Sequence, residues 1–209
     1  MDALRDAGVF VISSATTVHE ALQLEASGVN AVIAQGVEAG GHRGTFTDVD
    51  VGMQPGLFAL LPQVVDAVSL PVIAAGAIGD GRGVAAAMML GASAVQVGTA
   101  FLRTKEANVS AGHRAGLANA ADANTVVTDV VSGRPARYVR NTLINALTGT
   151  APLPFPAQMG LTAPLGKAGG AALTGVFAGQ AARLARAESA GVLIERLAAE
   201  ASQRLRVFV

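Results

Sequence analysis

Cysteine and tryptophan are both missing from this 209-residue chain, aromatic residues make up 4% of it, and only 14% of its residues carry a charge. Without cysteine there is no disulfide, no thiolate metal site and no cysteine nucleophile. That absence fits a reducing compartment, and a cytoplasmic location is expected. The scarcity of aromatics removes the stacking platforms that readers of single-stranded nucleic acid use. Lys plus Arg number 15 and Asp plus Glu number 15, so the formal net charge is zero. No basic footprint for nucleic acid or an anionic membrane is present. The longest apolar runs are of strand length, well short of the roughly 20 residues of a membrane span. Met1 to Asp6 is charged, with no apolar core, and does not read as a signal peptide. No pair of histidines or carboxylates has metal-ligand spacing, and no strand–serine elbow is present.

What is there is apolar and rhythmic. Hydrophobic residues reach 51%, enough to bury a sizeable core. The opening residues to Gly8 read as the tail of a helix, and Val9 to Ile12 as a strand. Thr17-Val18-His19-Glu20 matches a capping box, opening a helix to Ser27 that Gly28 ends. Strand Ala31 to Ala34 follows. Leu57 to Val68 reads as a helix whose regular part starts near Pro62. Strand Val72 to Ala75 leads through Gly76–Gly83 into a helix to Leu90, and strand Ala94 to Val97 leads into a short helix, Ala100 to Arg103. The strands are continuous apolar runs, as parallel strands covered on both faces are. Four strand–loop–helix units therefore begin at Val9, Ala31, Val72 and Ala94, and the class is α/β. Beyond Thr104 the pattern predicts helices over Ser110 to Ala121, Thr125 to Val131 and Asn141 to Leu147. Thr148 to Pro164 reads as a loop, and Ala168 to Leu205 as mostly helix, broken near Gly191.

The chemistry-bearing residues follow strand C-terminal ends, where β/α barrels and open α/β sheets place their sites. Gln35 to Gly44 is a glycine-rich loop carrying His42, a side chain that exchanges protons near neutral pH. Gly76 to Gly83 joins a strand to a helix N-terminus, a setting that favours anions. Gly98-Thr99 does the same after the next strand and adds a hydroxyl. Two such loops at successive strands favour a phosphate. Glu38 either orients His42 or is a solvated loop charge. Gln35 and Gln96, at strand ends, suit the polar edge of a planar heterocycle. His19 and His113 read as solvated.

These segments together resemble the nitronate monooxygenases, formerly 2-nitropropane dioxygenases. The resemblance rests on Ala34 to Gly44, on Pro71 to Ile78 with Asp80-Gly81-Arg82-Gly83, and on Leu90 to Leu102. Gly133 to Arg137 with Arg140-Asn141, and Ala178-Gly179-Gln180, are similar to later segments of the family. The resemblance implies a TIM (β/α)8 barrel, FMN bound without a covalent link, and oxidation of alkyl nitronates or nitroalkanes by O2 to a carbonyl compound and nitrite. It implies His42 as the catalytic residue, taking a proton or anchoring the nitronate's charge. It implies Gly76, Ala77, Gly98 and Thr99 as the phosphate loops, and Gln35, Gly40, Gly41, Gln96 and Val97 as other flavin contacts. The family usually carries a second glycine where Ala77 stands.

A closed barrel needs eight strands and typically about 250 residues. The four strands here match strands five to eight. The expectation is an incomplete barrel over residues 1–104, with a helical extension over 105–209 completing and covering it. A truncated family member of this kind would close its sheet with a second copy, as a homodimer, or need the missing N-terminal half. FMN-dependent enoyl-acyl-carrier-protein reductases look similar at the same loops, so that activity is the alternative, with an inactive fragment as the third reading.

Overall fold

A computed structural model describes residues 2–46 and 50–206. In chain order the elements are α1 (Asp2–Asp6), β1 (Ile12–Ala15), α2 (Val18–Ala26), β2 (Ala31–Gln35), β3 (Gly41–His42), α3 (Leu57–Ala67), β4 (Val72–Ala75), α4 (Gly81–Met89), β5 (Ala94–Gln96), α5 (Thr99–Leu102), α6 (Ala111–Ala118), β6 (Thr125–Thr128), β7 (Ala136–Val139), α7 (Thr142–Leu147), α8 (Ala157–Leu173) and α9 (Ala190–Leu205). They form two compact units. One comprises residues 1–38, 44–97 and 196–209, and the other residues 39–43 and 98–195.

The first unit is a parallel sheet in the order β1-β2-β4-β5. Val32 pairs with Val72 and Ile12 with Ala31, and every pairing is parallel. Parallel neighbours need crossovers, here α2, α3 and α4. The core lies between strands and helices, with Val32, Ala34 and Ala74 meeting Leu60, Leu61 and Val64. β1 starts three residues later than the apolar run Val9 to Ile12 predicts. Phe10 is 66% exposed, and pairing with β2 begins only at Ile12. α3 starts at Leu57 with Pro62 inside it, because the Glu38 carboxylate accepts the Leu57 N–H at 2.9 and 3.0 Å. That contact is remote in sequence and gives Glu38 a helix-capping role.

The second unit holds an antiparallel sheet, β3-β7-β6. Residues 125–128 are therefore a strand where a helix was predicted over Thr125 to Val131. Thr-Val-Val-Thr is β-branched throughout, and its partner Ala136–Val139 supplies the ladder. Half of the predicted loop Thr148 to Pro164 is helix, since α8 begins at Ala157 and contains Pro164. The predicted C-terminal helix is interrupted: α8 is broken by a non-helical Gly170 with φ 57°, and α9 is a separate helix. They are separated by residues 174–189, which include a 3-10 turn at Gln180–Leu184, while Gly191 lies inside α9. Two apolar clusters support this unit, one around Leu117, Val139 and Val176, the other around Val131, Tyr138 and Ile144.

Candidate active site

In the first unit Gln35, Gly76, Ala77, Gln96 and Val97 all stand at or just past the C-terminal ends of β2, β4 and β5. Gln35 Oε1 accepts the Gly44 N–H at 2.8 Å, so its side chain ties the exit of the glycine-rich segment back to β2. Gln96 is exposed, and Val97 packs partly against the core. Gly76 has φ 106° and Ala77 has φ 56°. Ala77 is thus an L-residue in the left-handed region, a conformation that costs roughly 1–2 kcal/mol.

The α4 N-terminus is not the open anion seat that the sequence predicts. Gly81 N–H donates to Glu200 Oε2 at 2.9 Å. The Arg82 and Gly83 amides donate to the Asp80 carboxylate at 3.0 and 3.4 Å. Two carboxylates already answer the helix dipole there.

The capping box also differs from the expected form. Thr17 Oγ1 accepts the Glu20 N–H at 3.2 Å, but the Glu20 carboxylate takes the Thr16 amide and hydroxyl at 2.6 and 2.7 Å. Its other oxygen accepts from Thr45 Oγ1 and Phe46 N at 2.7 and 3.2 Å. Burial pushes this carboxyl's pKa up, but its hydrogen bonds outweigh burial and hold it below the usual value. Glu20, fully buried, therefore anchors the segment just beyond His42, a role that its place in a capping box hid.

In the second unit His42 is not on a free loop. It lies in β3, opposite Ala136 of β7, and the Arg43 N–H donates to Pro135 O at 2.9 Å. Gly40 is fixed by packing. A Cβ there would stand 2.4 Å from Gly179 N and 2.6 Å from Ala178 C. Gly41 takes φ 78°. Thr99 Oγ1 accepts the Gly179 N–H at 2.9 Å. The backbone at 178–179 thus meets both Gly40 and Thr99, two candidates far apart in sequence.

The His42 Nε2 atom lies 2.9 Å from Ser132 Oγ. The Ser132 hydroxyl donates to Arg134 O at 3.0 Å and accepts from Tyr138 Oη at 3.2 Å. A hydroxyl has one proton. With it directed to Arg134 O, Ser132 Oγ is left as an acceptor toward the imidazole. Phe155 and Phe177 flank the imidazole, each with its ring centroid 5.4 Å away. Burial first, and the Arg134 guanidinium second, hold the His42 pKa below its ordinary value. Both disfavour the charged imidazolium, the direction that suits a base.

Ser132, Tyr138, Phe155 and Phe177 were not found from the sequence. Ser132 adjoins the Gly133–Arg137 segment and Phe177 adjoins Ala178, so the signal lay one residue outside each motif. His113 is buried and not solvated. Burial lowers its pKa, partly offset by a hydrogen bond to the Phe177 backbone. Its Nε2 is a buried atom without a hydrogen-bond partner. His19 is exposed, beside Gln23.

A sequence model described as nitronate monooxygenase matches residues 1–200. A probable nitronate monooxygenase of Staphylococcus saprophyticus is 40% identical over 211 residues, covering 97% of this chain and 59% of that protein. Its counterpart in Staphylococcus haemolyticus is 39% identical over 218 residues, covering 99% and 60%. Among solved structures, nitroalkane oxidase from Streptomyces ansochromogenes matches with a TM-score of 0.93 and 43% identity, over 99% of this chain and 61% of that one. FabK from Thermotoga maritima matches with a TM-score of 0.83 and 31% identity, over 100% and 67%. The chain spans about three-fifths of the length of the curated relatives it matches.

Proposed function

This chain belongs to the nitronate monooxygenase family, matched over residues 1–200, and from that premise we propose that it forms part of an FMN-dependent enzyme oxidising alkyl nitronates or nitroalkanes with O2, giving a carbonyl compound and nitrite. The observation that carries the reading is His42, tied through Nε2 to Ser132 and flanked by Phe155 and Phe177, with burial and Arg134 disfavouring its charged form. A neutral imidazole so fixed suits proton removal from the carbon beside a nitro group, whose acidity makes a nitronate accessible to a modest base.

The residues fit a flavin phosphate at Gly98 and Thr99. A Cβ added at Gly98 would meet nothing within 4 Å, so the chain itself does not require glycine there, and a ligand approaching the backbone does. The Thr99 hydroxyl accepts from Gly179 and keeps its own proton for a phosphate oxygen. Gly76 and Ala77 would offer backbone amides. Gln35, Gly40, Gly41, Gln96 and Val97 are proposed as further flavin contacts, of which Gly40 has the packing role already described. FMN, when bound, carries electrons from substrate to oxygen. His42 moves the proton, Ser132 holds the ring, and Phe155 and Phe177 exclude water from its faces.

We propose that the four-stranded sheet is the second half of a β/α barrel, with residues 1–104 forming that half and 105–209 a helical extension. Polypeptide outside this chain, or a second copy, would supply the remaining strands.

Quenching of flavin fluorescence on titration of FMN tests the cofactor, and nitrite release from a neutral nitroalkane under air tests the reaction. Loss of nitrite release in His42→Ala with FMN binding retained is the expected result. Unchanged turnover in that variant would overturn the role of His42. NADH or NADPH oxidation with an enoyl thioester, in place of nitrite release, would turn the assignment to the reductase that the same loops resemble.

A further inference from the structure

The second unit contains a cavity of about 520 Å³ between α6, α8 and the β7 side of the sheet. That volume lies in the range of small-molecule sites, roughly 300–1,000 Å³. His42 does not line it, but Ser132, Tyr138 and Phe177 do. Each of these three touches His42 or touches the residue that holds it.

The polar groups of the wall are already answered within the protein. Thr162 Oγ1 donates to Val131 O at 2.7 Å, and Thr174 Oγ1 to Gly170 O at 2.7 Å. The Tyr138 hydroxyl donates to Ser132, and Ser132 donates to Arg134 O. The rest of the lining is alanine, glycine, valine, methionine and phenylalanine, apart from Ser110 and Lys167. An occupant therefore meets few groups that would repay it for burying a polar atom. Lys167 supplies the single charge among the described lining residues, and it is exposed.

We propose that this cavity binds an unbranched aliphatic carboxylate, with its chain against Met159, Ala163 and Phe177 and its carboxylate at Lys167. It is an accessory site that His42 itself does not line. The walls accept a chain and give a head group only one charged partner. Occupancy presses on Ser132, Tyr138 and Phe177 and so is felt at the imidazole. The inference does not depend on the flavin assignment, because binding is measured on the chain with no cofactor added.

Isothermal calorimetry with octanoate, butanoate and octylammonium tests it. Octanoate buries four more methylenes than butanoate, so it should bind more tightly by on the order of a hundredfold. Octylammonium should bind more weakly than octanoate. Ala163 is exposed on α8, so Ala163→Phe fills the cavity without disturbing a core, and it should lose octanoate while melting as the parent does. Lys167→Glu should reverse the head-group preference. The chain has three histidines, so the His42 ring resonances can be assigned by substitution, and they should move on saturation with octanoate. Equal affinity for octanoate and butanoate, or octanoate binding undiminished in folded Ala163→Phe, would overturn the site. If Ala163→Phe does not fold, Lys167→Glu decides, and an unchanged preference for the carboxylate overturns the proposal. Binding by the anion of 1-nitrooctane alone would overturn it in favour of a substrate pocket.

Discussion

His42 and Arg134 are coupled by charge, and the coupling has a sign. The guanidinium disfavours the imidazolium, and burial disfavours it more. Arg134→Gln removes one of the two depressing causes. The His42 pKa should therefore rise, and the acid limb of kcat/KM for the proposed nitroalkane oxidation, in which His42 acts as base, should move to higher pH with it. NMR titration of the ring checks the first shift and a pH–rate profile the second. A fall in either would contradict the geometry. The same depression links to stability. His42 and His113 both have folded pKa values below the ordinary one. Between the folded value and about 6.5 the unfolded chain binds more protons. Stability from these groups is complete above that pH and is lost as the pH falls through the folded values. Urea midpoints measured from pH 7.5 downward should decline below about 6.5, and His113→Leu should make the decline shallower. An unchanged slope in that variant would exclude His113 as a contributor.

Two glycines at the element scale make opposite demands. Gly40 is packed against the 178–179 backbone, so Gly40→Ala should destabilise the protein by roughly 1–3 kcal/mol, seen as a lower denaturation midpoint. Gly98 faces open space, so Gly98→Ala should leave stability within about 0.5 kcal/mol and weaken FMN binding in a fluorescence titration. If Gly98→Ala instead bound FMN as the parent does, the phosphate would sit elsewhere. Ala77 bears the cost of a left-handed residue, and Ala77→Gly should raise stability by about 1 kcal/mol, read as an increase in Tm. The elements legible in sequence were those with strong local signals. These were the apolar strands β2, β4 and β5, the helix after Thr17, and the helix that Asp80 caps, while the predicted first strand meets β1 only at Ile12. β6 and the start of α8 were not legible. Thr125–Thr128 becomes a strand because β7 lies beside it, and the proline-rich 148–164 segment gives no local sign that a helix opens at Ala157.

At the largest scale, the four parallel strands leave β1 and β5 each paired on one side only among the described residues. Parallel sheets are ordinarily buried, yet Ile12 is 46% exposed and Ala94 of β5 is exposed. Unpaired strand edges of this kind template association. Sedimentation should show concentration-dependent self-association of this chain, reduced by Ile12→Lys at the β1 edge. A single monomeric species at every concentration would show that the edges are silent in solution. No helix among the described residues is long and apolar enough to cross a membrane.

The sequence by itself determined the α/β class, the order of the parallel strands' signals and the two glycine-rich segments at strand ends, because apolar runs, caps and glycines act over a few residues. It also marked His42, since a histidine among glycines after a buried strand stands out locally. Tertiary structure alone decided what holds that histidine. Ser132 lies 90 residues away in sequence, and Phe155 and Phe177 farther still. Only the tertiary fold brings their side chains to the ring. Glu38, Glu20 and Glu200 show the same limit. Each carboxylate answers amides on another segment, and a charge's partner across the fold cannot be read from its neighbours in the chain.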